Sequence, residues 1–210
     1  MELKKQGLLY LIADRKLGDA KILEALKAGV DMVQLREKNV TSAQYLADAR
    51  WMREQAKKYG AVFLVNDRLD IALLSGADGV HLGQEDVPVD EAKRLAAACG
   101  RTGFLVGATA KTGDQALRAF QLGADYIGSG AWHPTSTKPD ALPIGEETYR
   151  EILEKAPIPN VAIGGLTPEN CDLPLTLGAS GLAVAGGILG AGSITGAVEK
   201  FREKLNKGKN

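Results

Sequence analysis

With 210 residues the chain is long enough to bury a full hydrophobic core, as one domain or as two small ones. Its 26 Lys and Arg balance its 26 Asp and Glu, so no basic excess marks a nucleic-acid binder. The apolar run 7–13 is too short to span a bilayer and no small-residue cleavage site follows it, so it reads as a first strand. Cys99 and Cys171 fit neither a disulfide framework nor a metal-ligand spacing, and read as reduced, small core residues of a cytoplasmic protein.

A phrase then recurs four times along the chain. Ala28-Gly29-Val30-Asp31-Met32-Val33 is echoed from Ser75 to Val80, from Leu122 to Ile127 and from Leu177 to Leu182. Its glycines, at 29, 76, 123 and 178, are spaced by 47, 47 and 55 residues. Each phrase reads as a helix stopped by a left-handed glycine and followed by a strand. About 47 residues is twice what one strand, one helix and two short loops need, so four phrases predict eight β/α units. Further apolar runs, at Leu8–Ala13, Val62–Val65, Phe104–Gly107 and Val161–Ile163, supply the other strands, and Thr41–Tyr59 and Asp90–Cys99 are examples of the helical patterns between. The expected fold is a single (β/α)₈ TIM barrel over residues 1–210, with Lys204–Asn210 as a frayed end. An open doubly wound sheet seldom repeats so evenly, and no G-x-G-x-x-G follows the first strand.

In such a barrel the chemistry sits in the loops after the strands. After the second strand, Gln34, Arg36 and Lys38 share the inward face, while Val33 and Leu35 turn toward the helices. A solvated charged loop is the bland alternative. After the third and fourth strands come Asn66-Asp67 and, in His81–Asp86, the carboxylate of Asp86. Strands about 4.8 Å apart bring Asp67 and Asp86 to one point above the barrel, where two carboxylates suit Mg²⁺ bridging substrate phosphates. Asp67 capping a helix at Arg68, and Asp86 one at Val87-Pro88, are the structural alternatives. His81, within a strand, reads first as a satisfied core residue, and His133 has no identifiable partner. The sixth strand, ending at Gly128, leads into a long loop, Ser129–Ala141, whose Thr135, Ser136, Thr137 and Lys138 offer three hydroxyls and a cation to phosphate oxygens. Otherwise it is a linker. Gly164-Gly165 and Gly186-Gly187 close the seventh and eighth strands, at the two loops where this fold recurrently holds phosphate.

These segments read Q-L-R-E-K (Gln34–Lys38), V-N-D-R (Val65–Arg68), A-D-G-V-H-L-G-Q-E-D (Ala77–Asp86), P-T-S-T-K-P-D-A (Pro134–Ala141) and V-A-I-G-G-L (Val161–Leu166). In them the chain resembles the thiamine phosphate synthase family over nearly its whole length. The resemblance implies a transferase that condenses a hydroxymethylpyrimidine diphosphate with a thiazole phosphate, releasing pyrophosphate, with Mg²⁺ as cofactor. It implies that Arg36, Lys38 and Lys138 act on the diphosphate, within a substrate site that also takes in Gln34, Leu35, Glu37 and Asn66. Thr109, Thr135, Ser136, Thr137, Gly165, Ala185 and Gly186 complete that site, and Asp67 and Asp86 hold the metal. Two positions depart from the family's pattern: Thr109 stands for the usual Ser, and Gly186 removes a hydroxyl from the last loop. Trp132-His133 also stands where smaller residues are common.

The expected partners are small phosphorylated substrates, with neither nucleic acid nor membrane, and a monomer or small homo-oligomer. A thiazole tautomerase on the same barrel and a non-catalytic phosphate-ligand binder are the alternatives. Asp67, Asp86 and the T-S-T-K loop argue against the first. Two intact sets of acids and cations argue against the second.

Overall fold

The computed structural model describes residues 6–135 and 142–207. Eight strands, β1 (Leu8–Ala13), β2 (Met32–Leu35), β3 (Val62–Asn66), β4 (Gly79–Leu82), β5 (Leu105–Thr109), β6 (Tyr126–Ser129), β7 (Asn160–Ile163) and β8 (Gly181–Val184), pair in parallel and in chain order. The pairing of β8 with β1 closes the barrel and excludes the open sheet. Around it run α1 (Asp19–Lys27), α2 (Ser42–Tyr59), α3 (Leu69–Ser75), α4 (Val89–Ala98), α5 (Gly113–Gln121), α6 (Glu146–Lys155) and α7 (Asp172–Thr176). After β8 come the short α8 (Gly186–Leu189) and the closing α9 (Ile194–Lys207).

Period-two alternation sorts each strand into two layers. Leu9, Leu11, Val33, Leu35, Phe63 and Val65 pack outward beneath the helices, whereas Leu8, Tyr10, Ile12, Met32 and Leu64 fill the interior. Inside, large residues need small neighbours. A Cβ on Gly107 would lie 2.2 Å from the Tyr126 ring, so only glycine leaves that ring room.

The recurrent phrase has two physical jobs. Its glycines take φ of 97°, 73°, 87° and 110° at 29, 76, 123 and 178, the left-handed region that ends a helix at little steric cost. The polar residue two positions on ties down the barrel's lower rim. Asp31 accepts from the Leu9 N–H at 2.8 Å, Asp78 from Phe63 at 2.9 Å, Asp125 from Val106 at 2.7 Å and Ser180 from Asn160 at 3.2 Å. Each acid is also paired with a cation: Arg202 at 2.7 Å, Arg53 at 2.7 Å and Lys93 at 2.9 Å, respectively.

The element boundaries differ from the sequence reading by a residue or two, as at β5, which runs two residues further than expected, and at β6, which includes Ser129. Two expectations are overturned. Cys99 is exposed just past α4, so only Cys171 is a core residue. Lys204 to Lys207 continues α9 in regular helix instead of fraying, because Leu205 is buried and Lys204 pairs with Asp172 at 2.5 Å, while 208–210 lie outside the described residues.

Candidate active site

The C-terminal ends of the strands open into a cavity of about 400 Å³. Alternation along β2 and beyond sends Gln34, Arg36 and Lys38 into it, and Lys111, past β5, adds a further cation to the wall. None of these three cations is in an ion pair among the described residues. The same alternation corrects the expectation for Leu35 and Glu37. Leu35 is fully buried in the outer layer and Glu37 is buried against the loop after β1, so neither side chain lines the cavity. Glu37 accepts from the Arg15 N–H at 3.4 Å, and loss of water, with the Asp48 charge beside it, pushes its carboxyl up to about 7. Arg15 itself bridges Asp19 and Asp48 and stacks 4.2 Å from the Trp51 ring, a network that braces the backbone on which Arg36 and Lys38 stand.

After β3 the backbone turns sharply. Asp67 takes φ of 62°, a left-handed conformation that Asp tolerates better than most residues, and with it the side chain faces the cavity. Neither acid caps a helix: α3 begins after Arg68 and α4 after Pro88, both without a side-chain cap, which sets the capping alternative aside. Asp86 instead accepts from the Gly83 N–H at 2.6 Å and lies against Asp67. Partial loss of water, then the charge of Asp86, pushes the Asp67 carboxyl up to about 6, with Arg36 pulling it the other way. Asn66 lines the same wall, and its carbonyl accepts from the buried Tyr45 hydroxyl at 3.1 Å.

The floor is polar and was only partly foreseen. His81 is buried, and its Nδ1 and Nε2 lie 2.8 Å from the Tyr126 hydroxyl and 3.0 Å from Thr109 Oγ1. It is a satisfied core residue, as its strand position suggested, but it also faces the ligand space with Tyr10, Ile12 and Thr109. Burial pushes its pKa down to about 4, against the pull of Asp86, so the ring is neutral near pH 7.

The roof joins the loop after β6 to the two glycine pairs. Pro134 and Thr135 line the cavity, while Ser136, Thr137 and Lys138 lie outside the described residues. Gly164 and Gly165 serve a purpose that sequence reasoning missed. Cβ atoms there would come within 2.6 Å of Ala131 and of the Pro134 carbonyl, so both glycines let the start of the long loop lie directly on β7's exit. A Cβ on Gly186, by contrast, would meet nothing within 4 Å. Ala185 and Gly186 line the wall, and the first N–H groups of α8 have no intrahelical acceptor. Trp132 is structural, packed edge-on to Tyr149 at 4.8 Å beneath α6, and His133 does not line the cavity.

A cavity lined by three cations, by the Asp67 carboxylate that Asp86 contacts from outside the lining, and by open backbone at the last loop is equipped for polyanionic ligands. The sequence pattern described as thiamine monophosphate synthase matches residues 9–188. The chain belongs to that family. It is 38% identical over 205 residues to the thiamine-phosphate synthase of Pyrococcus furiosus, covering 97% of each chain. With its namesake in Coprothermobacter proteolyticus it shares 40% over 209 residues, again 97% of each. A solved thiamine phosphate pyrophosphorylase from Pyrococcus furiosus superposes with a TM-score of 0.88 at 36% identity, covering 99% of this chain and 98% of that one. Of the motifs that carry the family resemblance, Q-L-R-E-K, V-N-D-R and V-A-I-G-G-L all bring side chains or backbone to this one cavity, and Gly186-Gly187, where the chain departs from the family, lines it too. Tyr10, Ile12, His81, Lys111 and Thr167 also line it and were not among the expected ligand residues. The first three carry a usable signal, since strand alternation places them inward just as it does Gln34.

Proposed function

We propose that this protein joins a 4-amino-2-methyl-5-hydroxymethylpyrimidine diphosphate to a thiazole phosphate, giving thiamine phosphate and pyrophosphate. That it is an enzyme of the thiamine-phosphate synthase kind follows from its family. The observation that carries the detailed reading is the cavity wall, where Arg36, Lys38 and Lys111 stand without ion-pair partners among the described residues, together with Asp67, whose carboxylate Asp86 contacts. In this reading the C–O bond of the diphosphate breaks, its electron pair leaves with pyrophosphate, and the pyrimidine ring delocalises the cation left on its CH₂. The ring nitrogen of the thiazole then donates its lone pair to that carbon. No enzyme nucleophile is needed. The site's task is to hold the leaving charge and to exclude water.

Arg36, Lys38 and Lys138 hold the diphosphate, with Gln34 and Asn66 orienting the pyrimidine. Thr109, Thr135, Ser136 and Thr137, with the backbone at Gly165, Ala185 and Gly186, hold the thiazole phosphate. Asp67 and Asp86 would hold a Mg²⁺ ion, being two hard oxygen donors whose mutual repulsion adds to burial in raising Asp67. Such an ion would supply positive charge to balance the departing pyrophosphate. Leu35 and Glu37 shape the loop rather than touch the ligand. We place the activity in the cytoplasm, in a monomer or small homo-oligomer acting on small phosphorylated molecules without nucleic-acid or membrane partners. No helix among the described residues is long and apolar enough to cross a membrane.

The test is to mix the purified protein with both phosphorylated halves and Mg²⁺, then measure pyrophosphate and the coupled product. Both should appear together and depend on both substrates. A thiazole tautomerase or a non-catalytic binder would release no pyrophosphate.

A further inference from the structure

A run of buried hydrogen bonds crosses the barrel beneath the cavity. Gln34 Nε2 donates to the Tyr10 hydroxyl at 2.6 Å, and the Tyr10 and Tyr126 hydroxyls lie 3.0 Å apart. Tyr126 is 2.8 Å from His81 Nδ1, and His81 Nε2 is 3.0 Å from Thr109 Oγ1. Tyr10 and Tyr126 are 1% exposed, so no solvent stands in for a missing partner. Buried hydrogens without an acceptor are costly, and this fixes the direction of every link once one end is set. Because Tyr10 accepts from Gln34, its own hydrogen must go to Tyr126, that of Tyr126 to His81 Nδ1, and the Nε2 hydrogen to Thr109. The Thr109 hydrogen then has no acceptor among the described residues, and Thr109 lines the cavity.

We propose that Gln34, Tyr10, Tyr126, His81 and Thr109 form one polarised hydrogen-bond chain that fixes His81 as the Nε2–H tautomer and presents the Thr109 hydroxyl to the ligand as a donor. Tyr10, Tyr126 and His81 are then positioning residues. Tyr10 and His81 also line the cavity, but the polarity they set is delivered at Gln34 and Thr109, which they lock together: Gln34 turns its carbonyl toward the cavity while Thr109 turns its hydrogen. A ligand is accepted when it donates at the first point and accepts at the second. The opposite polarity, with Gln34 accepting from Tyr10, would satisfy the same atoms and invert both ends, so the two states are distinguishable. The identity of the ligand rests on the function proposed above, but the tautomer does not.

The chain has two histidines, so in the His133→Gln protein the ¹⁵N spectrum of the imidazole reports His81 alone. Without ligand it should show a protonated Nε2 and a bare Nδ1. A protonated Nδ1 would overturn the proposal, and this spectrum decides the polarity even if later variants fail to fold. Tyr126→Phe keeps the ring that fills the space above Gly107 but removes the donor to Nδ1. It should populate both tautomers and lower kcat/KM by up to about tenfold, mainly through KM. A tautomer unchanged in that variant, or a changed tautomer with unaltered kcat/KM, would overturn the positioning role. Absence of pyrophosphate release by the wild-type protein would instead remove the proposed function and leave the tautomer result standing.

Discussion

The two rims of the barrel use aspartate in opposite ways. At the lower rim Asp31, Asp78 and Asp125 each accept from the N–H of the second residue of the preceding strand and each sit within 2.9 Å of a cation. At the upper rim Asp67 and Asp86 face each other, and neither is in an ion pair among the described residues. The lower acids are settled by the fold itself. The upper pair is left with surplus negative charge, as Arg36, Lys38 and Lys111 are left with surplus positive charge. Ground-state interactions that the fold does not satisfy are the ones available to a ligand, and they lower stability where they raise function.

The largest expected effect lies among the upper cations. Arg36→Ala should lower kcat/KM for pyrophosphate release by roughly 30- to 700-fold, the equivalent of about 2–4 kcal/mol, with thermal stability unchanged. A loss under threefold would put Arg36 on the solvated side of the comparison.

Next comes Asp67. Asp67→Asn keeps a residue that tolerates the left-handed turn, so the fold should survive while kcat falls at least about tenfold and the Mg²⁺ requirement rises. The pH dependence has a definite sign. The folded carboxyl is raised from 3.8 to about 6, so its ionisation destabilises the fold, and stability present below pH 4 is lost as pH rises through 6. Because Asp67 opens on the cavity, screening reduces that loss to about 1 kcal/mol. In metal-free buffer Asp67→Asn should therefore melt higher than the parent at pH 7–8 and alike at pH 4. A lower melting temperature at pH 7 would mean that Asp67 is held by the fold after all.

The lower rim should give the mirror image. Asp78→Ala removes the Phe63 N–H acceptor and strands Arg53, costing about 1–3 kcal/mol and several degrees of Tm. Its kcat at a temperature where it is folded should match the parent.

The smallest effect sharpens the same contrast within the glycine pairs. Gly186→Val places its methyls in open cavity, so KM for the thiazole phosphate should rise several-fold with no change in Tm. Gly165→Ala forces a Cβ within 2.6 Å of the Pro134 carbonyl at φ of 64°, so its first symptom should be lost stability. Equal behaviour of the two variants would erase the distinction between them.

Much of this was legible in the chain itself, because the information is local. Glycines at fixed spacing mark places where only a left-handed residue ends a helix, and strand alternation assigns inward and outward faces from parity alone. Those two rules yield eight units, the inward set Gln34, Arg36 and Lys38, and the outward turn of Leu35. The same parity places Tyr10, Ile12 and His81 inward. What the sequence by itself determined is thus the barrel and which residues stand at its upper rim. Only the tertiary structure decided what those residues meet: that Asp67 faces Asp86 rather than capping α3, that Glu37 turns away to Arg15 and Asp48, and that Gly165 serves close packing where Gly186 leaves space. The reason is physical. Secondary structure follows from interactions a few residues apart, whereas charge balance, burial and hydrogen-bond direction depend on neighbours brought together from distant strands, as Gln34, Tyr126 and Thr109 are in one chain of bonds.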